Sequence, residues 1–137
     1  MPANPRERDQ FRQLTHTMRK YVTYSDAGID AGTLRMPAAL PAGSIITQVI
    51  VDVVTAFNAG TTNVLTVGTQ SGTANDIVTA GDVNEGAAGV NNVTTSAAIG
   101  HIGSSAIDLF IKYAQTGTAA TAGAAHIVVC YIPDNDG

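Results

Sequence analysis

Residue types able to do acid-base, nucleophilic or metal chemistry are few in this chain, and their spacing brings few of them together. There are three histidines, His16, His101 and His126, and one cysteine, Cys130. A zinc site takes three or four close ligands, whereas only His126 and Cys130 share a segment here. A Cys-His nucleophile pair needs a third group to orient the imidazole, and no such group has a sequence signature. His101, set between Gly100 and Ile102-Gly103, reads as a loop histidine, and His126, beside Ile127, reads as a strand histidine. Cys130, between Val129 and Tyr131, reads as a small buried hydrophobe. Asp76, Asp82 and Glu85 share one loop region and are the calcium candidates, but their spacing does not match an EF-hand loop. A solvated acidic loop is the simpler account. Gly68 and Gly72 precede no helix, so no phosphate-cradling glycine motif is present. These residues imply no catalytic group, no metal, no cofactor and no enzyme.

Composition limits the choice of fold. The chain has 137 residues, 45% hydrophobic and 13% charged, with 5% aromatic residues and no tryptophan. That is one domain's worth, long enough to bury a core without disulfides. Ala and Val supply the hydrophobicity, Thr, Gly, Asn and Ser most of the polarity; a disordered segment would show more charge and fewer β-branched residues. Residues 1–20 carry five basic residues against two acids, and the remainder carries Arg35 and Lys112 against nine acids. A basic arm thus precedes an acidic body, which would repel phosphate, so nucleic acid is not an expected partner. The apolar stretch from Val49 to Val54 is short and interrupted by Asp52, and no secretory signal precedes it, so no membrane association is expected.

The pattern along the chain divides it at residue 17. In 1–17, Asn4 caps, Pro5 takes the first helical position and Glu7 follows three residues after the cap. Phe11, Leu14 and Met18 then fall on one helical stripe. So short a helix needs a surface to lie on. From 18 to 137 the pattern is that of strands. Segments 19–24 and 34–40 read as short strands, the second broken by Pro37. Ser44 to Phe57 reads as the longest, with Ile45, Val49, Val51, Val53 and Phe57 on one parity and Ile46, Gln48, Ile50, Asp52 and Val54 on the other. The first face is the expected inner one; Ile46, Ile50 and Val54 on the mixed face are candidates for burial between subunits. Asn58 to Thr62 turns the chain into a strand over 63–68. Residues 69–92 read as an irregular excursion with a short strand near Ile77 and a helical turn over 82–88. Strands follow over 93–99, 106–113 and 125–132. Seven or eight strands with no crossover helix predict an all-β, antiparallel two-layer β-sandwich, jelly-roll-like, with a short helical or extended N-terminal arm.

The run from Pro41 to Thr69, PAGSIITQVIVDVVTAFNAGTTNVLTVGT, resembles a segment of the capsid decoration or cement proteins of tailed bacteriophages. The run Ile111 to Ala125 resembles their Thr/Gly/Ala hairpin, and Gly81-Asp82-Val83-Asn84 the short piece between. The resemblance spans about residues 18–132. It implies a jelly-roll-like domain on the outer surface of the phage head that binds the major capsid protein and stiffens the shell. It also implies self-association, as a trimer by analogy, with a dimer as the other option. An arm gripping the capsid through Arg6, Arg8, Phe11, Arg12, Leu14 and Met18 would fit the polarity of the first segment. A tail- or fibre-associated module that binds host glycan is the alternative, weakened by the scarcity of aromatic residues to stack on sugar rings.

Overall fold

Period-two alternation sets which way each strand faces. The computed structural model describes residues 15–95 and 98–133. The strands are β1 (His16–Thr23), β2 (Leu34–Arg35), β3 (Ile45–Thr55), β4 (Thr62–Gly68), β5 (Gly89–Val93), β6 (Gly100–His101), β7 (Phe110–Thr116) and β8 (Ala124–Ile132). In β1, Met18 and Val22 are buried while Thr17, Arg19 and Tyr21 are exposed. In β8, Ala125, Ile127 and Val129 are buried and His126 and Val128 are half-buried. One face of each strand thus goes to a shared core. The protein is an all-β sandwich of two antiparallel sheets, with no helix among the described residues.

The pairings nest. β1 pairs with β8, β2 with β7 and β3 with β6, all antiparallel, so in three of the four cases strands whose numbers sum to nine lie side by side. That is the order made by rolling up one long hairpin, the jelly roll. One sheet runs β1-β8-β3-β5, with β6 also on β3, and the other runs β2-β7-β4. β5 joins β3 rather than β4, and the free edge of β4 is met instead by Val78, which bridges to Val67.

The two sheets enclose Val22, Val49, Val51 and Ile127 from one side and Leu65, Val67, Ile111 and Tyr113 from the other, all essentially without solvent exposure. Phe57 and Tyr113 pack ring on ring with centroids 4.7 Å apart. The phenol of Tyr113 donates to Asn63 Oδ1 at 2.5 Å, and Asn63 Oδ1 also accepts from the Ala59 N–H at 2.9 Å. One buried hydroxyl therefore ties β7 to the turn between β3 and β4.

Five expectations are corrected. Met18 does not belong to a helical stripe: it lies in β1 opposite Val129 with its side chain in the core. Phe11 and Leu14 lie outside the described residues. The expected strand over 93–99 is instead β5, ending at Val93, and 82–88 forms turns rather than a helical turn. The strand expected from residue 106 begins at Phe110, only Ile107 bridging earlier, to Leu40. Finally, the parity of β3 changes within the strand. Its register on β8 shifts between Ile46 and Gln48, a β-bulge that turns the chain by one residue. Ile46 is therefore only 2% exposed, packed in the core, while Ile45 points outward.

Gly123, before β8, adopts φ +150, and a Cβ built there would stand 2.7 Å from Phe57 Cγ. We expect Gly123→Ala to lower the stability measured by urea unfolding by about 1–3 kcal/mol, through strain and overpacking against that ring.

Candidate functional site

The outer face of the β1-β8-β3-β5 sheet follows from the cross-strand register. Tyr21, His126, Asp52 and Val90 form one row across four strands, and Arg19, Val128, Ile50 and Asn92 form the next. Val90 is 68% exposed, Tyr21 51% and Val54 48%, and Ile50 and Val128 are half-buried. Of the three residues expected at a subunit interface, Ile50 and Val54 stand on this open face. Ile46 does not, because the bulge turns it inward.

Charge on this face is placed around β8. Arg19 Nε donates to His126 Nδ1 at 3.3 Å, and its Nη2 lies 3.5 Å from Nε2 of the same ring. The Tyr21 ring packs against that imidazole at 4.9 Å between centroids. Asp52 flanks His126 on the other side, from β3. Neither Arg19 nor Asp52 has an ion-pair partner among the described residues, whereas Arg35 has Asp108 at 3.8 Å. Cys130 is buried in the same sheet, with Gln48 Nε2 donating to its Sγ at 3.7 Å. His126 and Cys130 are thus each engaged by a neighbouring strand, and His101 sits in β6 opposite Ile45. Sequence reasoning took His126 for an ordinary strand histidine and passed over Arg19, Tyr21 and Asp52. The period-two pattern gives the parity of each, but only the register between strands brings them into adjoining rows.

The acidic loop is occupied by its own backbone. Asp76 accepts from the Thr69 N–H at 2.7 Å and the Thr69 hydroxyl at 2.5 Å. Asp82 accepts from the Thr79 N–H and hydroxyl, both at 2.9 Å. Glu85 is buried and its Oε1 accepts from the Leu65 N–H at 2.8 Å, satisfying the open edge of β4. The three carboxylates face three different segments, and no group of three or more metal-ligating side chains gathers among the described residues. No helix is long and apolar enough to cross a membrane among the described residues. The arm residues Arg6, Arg8, Phe11, Arg12 and Leu14 lie outside the described residues.

This sandwich matches solved structures over most of its length. The same fold occurs in phage capsids. A chain of the structure titled "Capsid of Ralstonia phage GP4" superposes with a TM-score of 0.62 at 21% identity, covering 88% of this chain and 84% of that one. A chain of the "Cyanophage Pam1 capsid asymmetric unit" gives 0.58 at 17% identity, covering 87% and 84%. A chain of the "Acidic stable capsid structure of Helicobacter pylori bacteriophage KHP30" gives 0.60 at 15% identity, covering 87% of each. At these identities the likeness is one of fold. No protein-family model matches the sequence, and no curated protein matches it either.

Two outcomes follow from the buried polar groups. Glu85→Ala, which strands the Leu65 N–H, is expected to cost about 1–3 kcal/mol in chemical unfolding, while Glu85→Gln, which keeps a carbonyl acceptor, costs less. Burial holds the Tyr113 phenol above its ordinary pKa of 10.0; the nearby Ala59 backbone works the other way, and the Glu85 charge adds to the rise. The folded state therefore holds this proton more tightly than the unfolded state does. The resulting stability is present below about pH 10 and is lost as pH rises through the folded value. In melts from pH 9 to 11.5, Tyr113→Phe is expected to flatten that alkaline loss.

Proposed function

We propose that this chain is a structural protein of a bacteriophage virion, and specifically a decoration or cement protein on the outer surface of the head. The observation that carries the reading is the shared fold: three phage capsid structures contain chains that match 87–88% of this one at TM-scores of 0.58–0.62. The sequence resemblance over 18–132 points the same way.

A cement protein works by adding buried area across the boundaries between major capsid proteins. Each stable contact takes roughly 1,200–2,000 Å² in total, and several weaker contacts made by an oligomer reinforce one another through effective concentration. A sandwich with a closed core is a stiff block for this purpose. The arm supplies the grip in this reading: Arg6, Arg8 and Arg12 would meet acidic groups, and Phe11 and Leu14 would enter apolar recesses of the capsid lattice. Met18 takes no part, since it is core.

Because β1 begins at His16, a cut before Thr15 spares the sheet. Removal of residues 1–14 is expected to leave the melting temperature of the body within a few degrees and to reduce co-sedimentation with undecorated phage heads at least about ten-fold, a loss of about 1.4 kcal/mol. Undiminished co-sedimentation would remove the arm from the binding surface. Failure of the full chain to bind heads at all would overturn the decoration role.

A further inference from the structure

Arg19 and Asp52 share the outer face of the β1-β8-β3-β5 sheet, one on each side of β8. Arg19 is exposed on β1; Asp52 is half-buried on β3 among Ile50, Val54 and Val90. The Arg19 guanidinium leans along its strand to His126, in the row that also holds Asp52. Among the described residues neither charge has an ion-pair partner, while Arg35 has Asp108 and the Lys112 ammonium donates to the Gly72 carbonyl at 3.0 Å. A cation on one side of a central strand and an anion on the other make a surface complementary to itself.

We propose that this face docks a second copy of the chain, face to face about a two-fold axis running above β8, with Arg19 of each copy on Asp52 of the other. Such an axis lays β1 of one copy over β3 of its partner, and the reverse, as an isologous contact requires. Val128, half-buried at the middle of β8, meets Val128 of the other copy, and Ile50 and Tyr21 close around it. Both charges gain a partner, and the apolar side chains of Val128, Ile50 and Tyr21 leave water. Three strands about 4.8 Å apart and about seven residues long give a flat footprint of roughly 350 Å² per copy. That falls below the roughly 800 Å² per partner of a standard interface, so the contact is weak and dissociates on dilution. The proposal takes the dimer, the other option of the capsid reading, and gives it a surface and a symmetry; it rests on that reading only for its use. Mass in solution tests it without any phage head.

The experiment is sedimentation equilibrium of the full chain from about 10 to 500 µM, with charge-swapped variants. The wild type is expected to pass from monomer to dimer over this range. Arg19→Asp and Asp52→Arg, each setting like charges opposite one another, should weaken the dimer at least about ten-fold, and the double swap should return it to within about three-fold of the wild type. Val128→Glu, which sets two carboxylates against each other on the axis, should abolish the dimer while far-UV circular dichroism stays that of the wild type. A wild type that stays monomeric, a dimer indifferent to either single swap, or a double swap that fails to restore it would overturn the proposal. Loss of head binding in the swaps without a change in mass would also overturn it, and would assign the face to the capsid.

Discussion

Everything in this molecule hangs on β8 being hydrogen-bonded along both flanks. On one side it pairs with all eight residues of β1, from His16 opposite Tyr131 to Thr23 opposite Ala124. On the other it pairs with β3 from Ile45 to Thr55, with two irregularities. A strand so placed has almost no backbone group free, and its alternate residues, Ala125, Ile127 and Val129, are committed to the core. His126 and Val128, of the opposite parity, therefore stand on the sheet's outer face. Surface and interior are two sides of one ladder.

The second sheet shows the opposite economy. β2-β7-β4 has three strands, one of them two residues long, and its exposed edge is finished by side chains and a bridge rather than by a full partner. Glu85 reaches from a distant loop to the Leu65 N–H, Val78 bridges to Val67, and the turns around Asp26, Asp76 and Asp82 are each closed by a threonine N–H and hydroxyl. Much of the acidic character that makes the body anionic is thereby structural, holding turns in a chain with few charges to spare. An edge finished in this way is also less able to recruit a foreign strand.

The sequence conveys the class of fold and most of its strands because period-two alternation is local. Ile107, Leu109, Ile111 and Tyr113 alternate with Asp108 and Lys112 whatever their partners are, and the turn over 58–62 is marked by its own residue types. The inward assignment of Ile45 failed at a single bulge, whose cause is the register against β8, some eighty residues away. Met18 misled for a related reason: its place in β1, opposite Val129, is set by pairing with a strand more than a hundred residues away. The outer-face cluster was the least legible part. Arg19, His126 and Asp52 are far apart in sequence, and only the pairing of β1 and β3 with the same strand brings them into adjoining rows.

The nested pairing carries a consequence for how the chain reaches its structure. β1 and β8 are bonded neighbours yet more than a hundred residues apart in sequence, so the ladder that completes the larger sheet closes the longest loop in the molecule. Topologies dominated by such distant contacts fold in milliseconds to seconds rather than microseconds, because the entropy of loop closure is lost before the contacts repay it. During that interval the apolar faces of β1 and β3 have no β8 to lie beside, and unpaired strands of this kind are the species that aggregate. The tempo of that last closure therefore sets how long those faces stand uncovered in each new chain.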